Sequence, residues 1–213
     1  MTGRGGGLLV LPSSMSMTVG AVMPRQLGSY TGTIQLDGYD AYQALARSGS
    51  TRERISLAFC LAHARRKFVD AWRKSPSPLA ERITAAIGEV FAVEGRIKGL
   101  TAQERQRVRK LESSAPMALI KAEIDEMLPH LSPKSNLAKA MRYTLAHWQG
   151  LNRFIEDGRL EVDINTVERD MRSMPKGASR ACLQEVMAAP RPGRSSPRFC
   201  RLLVSMALIL TRG

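Results

Sequence analysis

The first 36 residues contain no aspartate and no glutamate. Any chemistry that needs a carboxylate must draw it from further along the chain. Cysteine is scarce as well, three in 213 residues. That excludes a disulfide framework and fits a reducing cytoplasm. Long apolar runs are missing. Leu8 to Leu11 is too short for the apolar core of a secretory signal. The C-terminal RLLVSMALILTRG falls well short of the roughly 20 apolar residues that a membrane helix needs. A membrane partner is therefore not expected. No Gly-rich phosphate loop and no Ser-His-Asp pattern can be placed, and no small-molecule substrate is expected.

What is present is a globular composition, 44% hydrophobic and 24% charged. The length suits one domain, or one domain with an insertion, and can bury a real core. The net charge of +13 suggests a nucleic-acid partner. Its distribution tempers that reading. Residues 174–213 carry seven basic residues against the single acid Glu185, and residues 1–27 carry Arg4 and Arg25. The middle of the chain is only mildly basic.

The chain reads in three parts. Residues 1–27 are rich in Gly, Ser and Met without a clear period, and are expected to be unstructured. Residues 28–173 are well patterned. Residues 174–213 mix Pro, Gly, Ser and Arg and are expected to form an unstructured tail. The patterned part opens with TGTIQLDGYDAY, a strand that ends on Asp37. A helix is expected through Tyr39, Tyr42 and Leu45. ISLAFCLAHARRKFVDAW begins as a short apolar strand and passes into a helix. Ser77-Pro78 supplies an N-cap and an N1 proline, and Ile83, Ile87, Val90, Phe91 and Ile97 form a helical stripe. Thr101 and Glu104 have capping-box spacing for a helix through Val108 and Leu111. Pro116 is expected to open another, through Leu119, Ile120, Ile124 and Leu128. Ser132-Pro133 signals a further cap, before an apolar face of Leu137, Met141, Leu145 and Trp148. Gly158 suits a helix C-terminus, RLEVDI is extended, and NTVERDMR reads as a capped helix start. Trp72 and Trp148 are expected to fill the core.

Few residues carry chemistry. Asp37 ends a strand, and Glu168 sits on the first turns of a helix after an extended lead-in. Hard divalent cations want carboxylate oxygens, and two-metal phosphoryl chemistry needs several acids converging from different elements. Taken alone, each acid reads more readily as a turn former or helix-dipole partner. In HARRKF, Arg65, Arg66 and Lys67 stand beside His63, either as phosphate contacts or as a solvated basic face. Cys60 and His63 make a C-x-x-H without a second pair, so zinc is not expected.

Three blocks, YTGTIQLDGYDAYQALA, LAFCLAHARRKFVDAW and LSPKSNLAKAMRYTLAHWQGLNRFIEDGRLEVDINTVERDMR, occur in an order and spacing that resemble the insertion sequence sixty-six family of bacterial transposases. The resemblance covers about residues 28–173. It implies an α/β fold of RNase H type whose DDE triad of acids binds two Mg²⁺ and cuts and joins DNA. The acid of the LDGY block, Asp37, then becomes the second triad member, and the glutamate of the N-x-x-E-R block, Glu168, the third. The helices between them, 73–158, resemble the family's insertion. Arg65, Arg66, Lys67, Arg169 and Arg172 become the expected DNA contacts. Transposon-end DNA and intact transposase copies become the expected partners, and the bacterial cytoplasm the location.

The departures from the family are as informative. Its first catalytic Asp lies upstream of the LDGY block, where this chain has no acid. Its closing runs, L-F-A-G-S and L-N-G-V-D-P, are absent as written. Both reappear when the tail is read in a shifted frame. Ser205 to Thr211 admits codons that spell Leu-Asn-Gly-Val-Asp-Pro-His one base earlier, and Ala181 to Ala188 admits Leu-Phe-Ala-Gly-Ser-His-Gly. Ser14 to Thr18 similarly shifts to Tyr-Glu-His-Asp. The expectation is an incomplete RNase H-like core with a large α-helical insertion and irregular ends. It is expected to be a transposase remnant that binds Mg²⁺ unproductively and is catalytically inactive. The alternative is a non-catalytic module that binds DNA or intact transposase.

Overall fold

The computed structural model describes residues 7–11, 31–36 and 55–164. The chain divides into two compact units, one of Met1–Leu57 with Ile164–Gly213 and one of Ala58–Asp163.

In the first unit, strands β1 (Gly7–Leu11) and β2 (Gly32–Leu36) pair in parallel, Gly7 opposite Gly32 and Leu11 opposite Leu36. Strand β3 (Ile55–Phe59) completes a sheet of order β1-β2-β3. Parallel strands are usually covered on both faces and read as continuous apolar runs. GLLVL fits that rule, with Leu8 buried, and so does the run of Ile34, Gln35 and Leu36, all buried. Residues 7–11 thus correct the expectation of an unstructured N-terminal segment. The short apolar run there has no period to read. Gly32 takes φ 143°, a backbone region that L side chains avoid. The helix expected through Tyr39, Tyr42 and Leu45 lies outside the described residues, as does NTVERDMR.

The second unit is helical. Helix α1 (Leu61–Lys74) follows β3 directly, as the sequence predicts, and buries Leu61, Ala64, Phe68 and Ala71 on one face. It packs against α2 (Pro78–Arg96) and against α5 (Asn136–Ala146). Helix α2 starts at the expected Ser77 cap and buries Ile83, Ile87 and Val90 from its stripe. This unit takes in Ala58–Asp163, a wider span than 73–158.

The next helix departs from expectation. Helix α3 (Ala102–Val108), a π-turn (Arg109–Ser113) and α4 (Ser114–Met127) run on without a break. Pro116 therefore lies inside a helix and does not open one. A proline there lacks the N–H for one bond and crowds the carbonyl four residues back, here Glu112. The wider π-turn just before it is the local adjustment. The turn directs Arg109 and Ser113 inward, both buried, and leaves Leu111 71% exposed. Leu119, assigned to the apolar face, is half exposed, while Ile120 and Ile124 are buried as expected.

A 3-10 turn (Leu128–His130) leads to α5, whose cap is Ser135 and not Ser132. The Ser135 hydroxyl accepts from the Ala138 amide at 3.1 Å. Helix α6 (Trp148–Glu156) then buries Leu151, Phe154 and Ile155. Neither tryptophan is core. Trp72 is 38% exposed, with its indole N–H bonded to Glu81, and Trp148 is half-buried. Residues 159–164 are irregular but alternate, with Leu160, Val162 and Ile164 buried. Val162 presents its carbonyl to the Leu61 amide at 3.0 Å, which satisfies an open donor of the first turn of α1.

Candidate functional site

Asp37, Glu168, Arg169 and Arg172 lie outside the described residues. What is described is the approach to Asp37. Strand β2 delivers the chain to it through Leu36, which is fully buried. Strands β1 and β2 end level with each other, at Leu11 and Leu36. In parallel sheets ligands gather beyond the carboxyl ends of the strands. The residues that follow the two ends are Pro12-Ser13-Ser14 and Asp37. Of these residues only Asp37 carries a carboxylate. Asp163, a second acid near the family block, is half-buried at the end of the helical unit.

Among the described residues no three His, Cys, Asp or Glu side chains gather as metal ligands. Cys60, at the N-cap of α1, is buried and forms no disulfide. His147, at the junction of α5 and α6, packs against two rings, and its Nδ1 lies 2.7 Å from the Tyr143 carbonyl oxygen. Phe59 meets it edge-on at 4.5 Å, and Tyr143 lies 4.2 Å away.

Arg65, Arg66 and Lys67 are consecutive on α1. They are exposed on α1, on the side away from Leu61, Ala64 and Phe68. The Lys67 ammonium stands 4.3 Å over the centroid of the Tyr143 ring on α5, a cation–π contact that steers the side chain along that helix.

Sequence reasoning missed the ionic centre of the helical unit. Arg109 is fully buried. It donates through Nε and Nη2 to the two carboxylate oxygens of Glu94 on α2, each at 2.7 Å. Its Nη1 donates to the carbonyls of Phe154 at 3.0 Å and Asp157 at 3.4 Å. One turn earlier Arg105 lies 3.7 Å from Glu94 and grips Glu161 in a bidentate pair at 2.9 Å. The spacing of four residues puts both arginines on one helix face. Nothing in the spacing says that the face turns inward. After α6, Asp157 accepts from the Arg159 amide at 3.0 Å and from its guanidinium at 2.7 Å. Burial works against the Asp157 charge. The hydrogen bonds from Arg159, with the charges of Arg159 and Arg109, outweigh it and hold the carboxyl below its ordinary range. On the surface, Arg82 joins Glu123 through two bonds of 2.8 Å between α2 and α4, and that side-chain bond lowers the Glu123 carboxyl.

The resemblance drawn from the three blocks holds against known proteins. Over residues 16–182 the chain matches the family described as Transposase IS66 family. That span passes both edges of residues 28–173. The chain belongs to this transposase family. It is 49% identical over 152 residues to "Uncharacterized protein y4jD" of Sinorhizobium fredii (strain NBRC 101917 / NGR234), a match covering 70% of this chain and 30% of that protein. It is 38% identical over 151 residues to "Uncharacterized protein y4qI" of the same strain, covering 70% and 28%. A third relative there, "Uncharacterized protein y4hP", is 32% identical over 165 residues, covering 72% and 30%. The chain therefore spans under a third of the length of these relatives. No solved structure matches it. Among the described residues no helix is long and apolar enough to cross a membrane.

Proposed function

We propose that the chain is a partial copy of an insertion-sequence DDE transposase and does not catalyse DNA transposition by itself. In this reading Asp37 and Glu168 are the second and third acids of the triad on an incomplete RNase H-like core, and the helical unit is the insertion between them. The observation that carries it is the pair of level strand ends. Strand β1 ends beside β2, yet the chain has no Asp or Glu anywhere in residues 1–36. Two Mg²⁺, where a full triad holds them, activate the attacking oxygen and stabilise the leaving one at a separation of about 4 Å. A donor set short of one carboxylate does not fit that pair of ions.

The residual role is DNA contact, through Arg65, Arg66 and Lys67 and through Arg169 and Arg172 beside Glu168. Binding to an intact transposase copy is the second reading, favoured by exposed Leu111 and Leu119 on the long helix. The test is strand transfer of labelled transposon-end DNA with Mg²⁺ or Mn²⁺. No cleavage or joining is expected. Strand transfer that Asp37→Ala or Glu168→Ala abolishes would overturn the proposal.

A further inference from the structure

Most cations of α2 and the long α3–α4 helix are paired, Arg107 being an exception, and most of those on α1 and α5 are not. On α2 and the long α3–α4 helix, Arg82, Arg96, Arg105, Arg109, Lys110 and Lys121 each face a carboxylate. On α1 and α5 the charges are left open. Among the described residues Arg65, Arg66, Lys74 and Lys139 make no ion pair, and only Arg73 has one, with Asp70 at 3.8 Å. Of these, Lys74 and Lys139 border a groove of about 270 Å³ between the two helices, lined also by Lys67, Asp70 and Asn136. Its floor is Ala71 and Ala140, small residues that let the helices approach. Lys67 and Lys74 are two helical turns apart, about 10 Å along the axis, which is roughly the rise of three nucleotides. Lys139 and the Asn136 amide enter from the first turns of α5, the positive end of that helix dipole.

We propose that this groove is where the helical unit grips the phosphate backbone of DNA, without reading sequence. The inference rests on the DNA-contact reading above and adds Lys74, Lys139 and Asn136 to it. Phosphate contacts of this kind place a protein on DNA and carry no base information. Asp70 opposes them as the one acid in the groove.

Fluorescence anisotropy of the full chain with labelled duplex, over roughly 50–200 mM salt, tests this. Lys74→Ala with Lys139→Ala changes two exposed helix positions to a good helix former. The double variant should bind more weakly, and its salt slope should fall by about 0.9 per lysine. The loss should be equal for transposon-end and unrelated duplexes. Asp70→Asn should tighten binding. Lys110→Ala with Lys121→Ala, on the neutralised side, should leave the slope near wild type. If the Lys74/Lys139 double variant keeps the wild-type slope, the groove is overturned while DNA contact elsewhere stands. If the wild-type chain binds no duplex at low salt, both this inference and the DNA-contact reading fall.

Discussion

Arg109 places a guanidinium in the fully buried interior of the helical unit. Burial of an ion is tolerated when hydrogen bonds and a counter-ion are in place, and here Glu94 and two backbone carbonyls engage four of its five N–H donors. Removing one member leaves the other stranded. Arg109→Ala should lower stability to urea by about 3 kcal/mol or more. A loss under about 1 kcal/mol would mean that the guanidinium is not held as described. Replacing both partners, Arg109→Met with Glu94→Gln, should recover much of that loss, because no unpaired charge remains. Asp157 makes a prediction of opposite character. Its carboxyl is held low in the fold, so it favours the folded state above its unfolded pKa of about 3.9 and loses that contribution as pH falls through the folded value. Glu104 and Glu123 are lowered as well, Glu104 by its bond to the Thr101 side chain, and they act in the same direction. The unfolding midpoint should be flat above about pH 5 and fall below about pH 4. Asp157→Asn should shallow that fall, and an unchanged acid limb would contradict the assignment.

At the scale of elements, the signals that could be read locally proved the sound ones. The Thr101–Glu104 capping box forms with both of its bonds, the Thr101 amide to the Glu104 carboxylate at 3.0 Å and the Glu104 amide to the Thr101 hydroxyl at 3.3 Å. Thr101→Ala should therefore cost about 1 kcal/mol, measurable as a lower unfolding midpoint. The strand before Asp37 and the strand-to-helix passage around Cys60 were equally legible, because period and turn chemistry act over a few residues. Signals that depend on distant neighbours were not. Pro116 reads as a helix start until a π-turn absorbs it. Ser132 and Ser135 are equivalent candidates until the helix axis is fixed. Gly158 does follow the end of α6, whose C-cap is Asp157, but its φ is not left-handed. A β-carbon there would lie 1.8 Å from the Ala102 carbonyl oxygen, so the loop after α6 and the start of α3 meet too closely for a side chain. Gly158→Ala should destabilise by about 1–3 kcal/mol, as overpacking does. A neutral effect in thermal unfolding would show that the contact yields freely.

For the whole molecule, the family was legible because separate blocks keep their order and spacing, and the match over residues 16–182 bears that out. The run of helices from Leu61 to Glu156 was legible from its caps and apolar stripes. The buried arginine centre and the open cationic groove were not, since both arise where helices distant in sequence meet. The net charge of +13 hints at DNA but cannot say which cations remain free once Glu94, Glu112 and Glu123 have each engaged a partner. The shifted-frame reading of the ends is a separate matter, and genomic DNA around the gene decides it by restoring the missing blocks in another frame or failing to. The central claim is that this chain holds two triad acids and lacks the third. Counting bound metal tests it most directly. Titrating Mn²⁺ into the full chain and following the free hydrated ion by electron paramagnetic resonance should show no tight binding, because a site short of one carboxylate leaves the ions mostly hydrated. Uptake of two ions per chain at low metal, lost in Asp37→Asn or Glu168→Gln, would contradict the account.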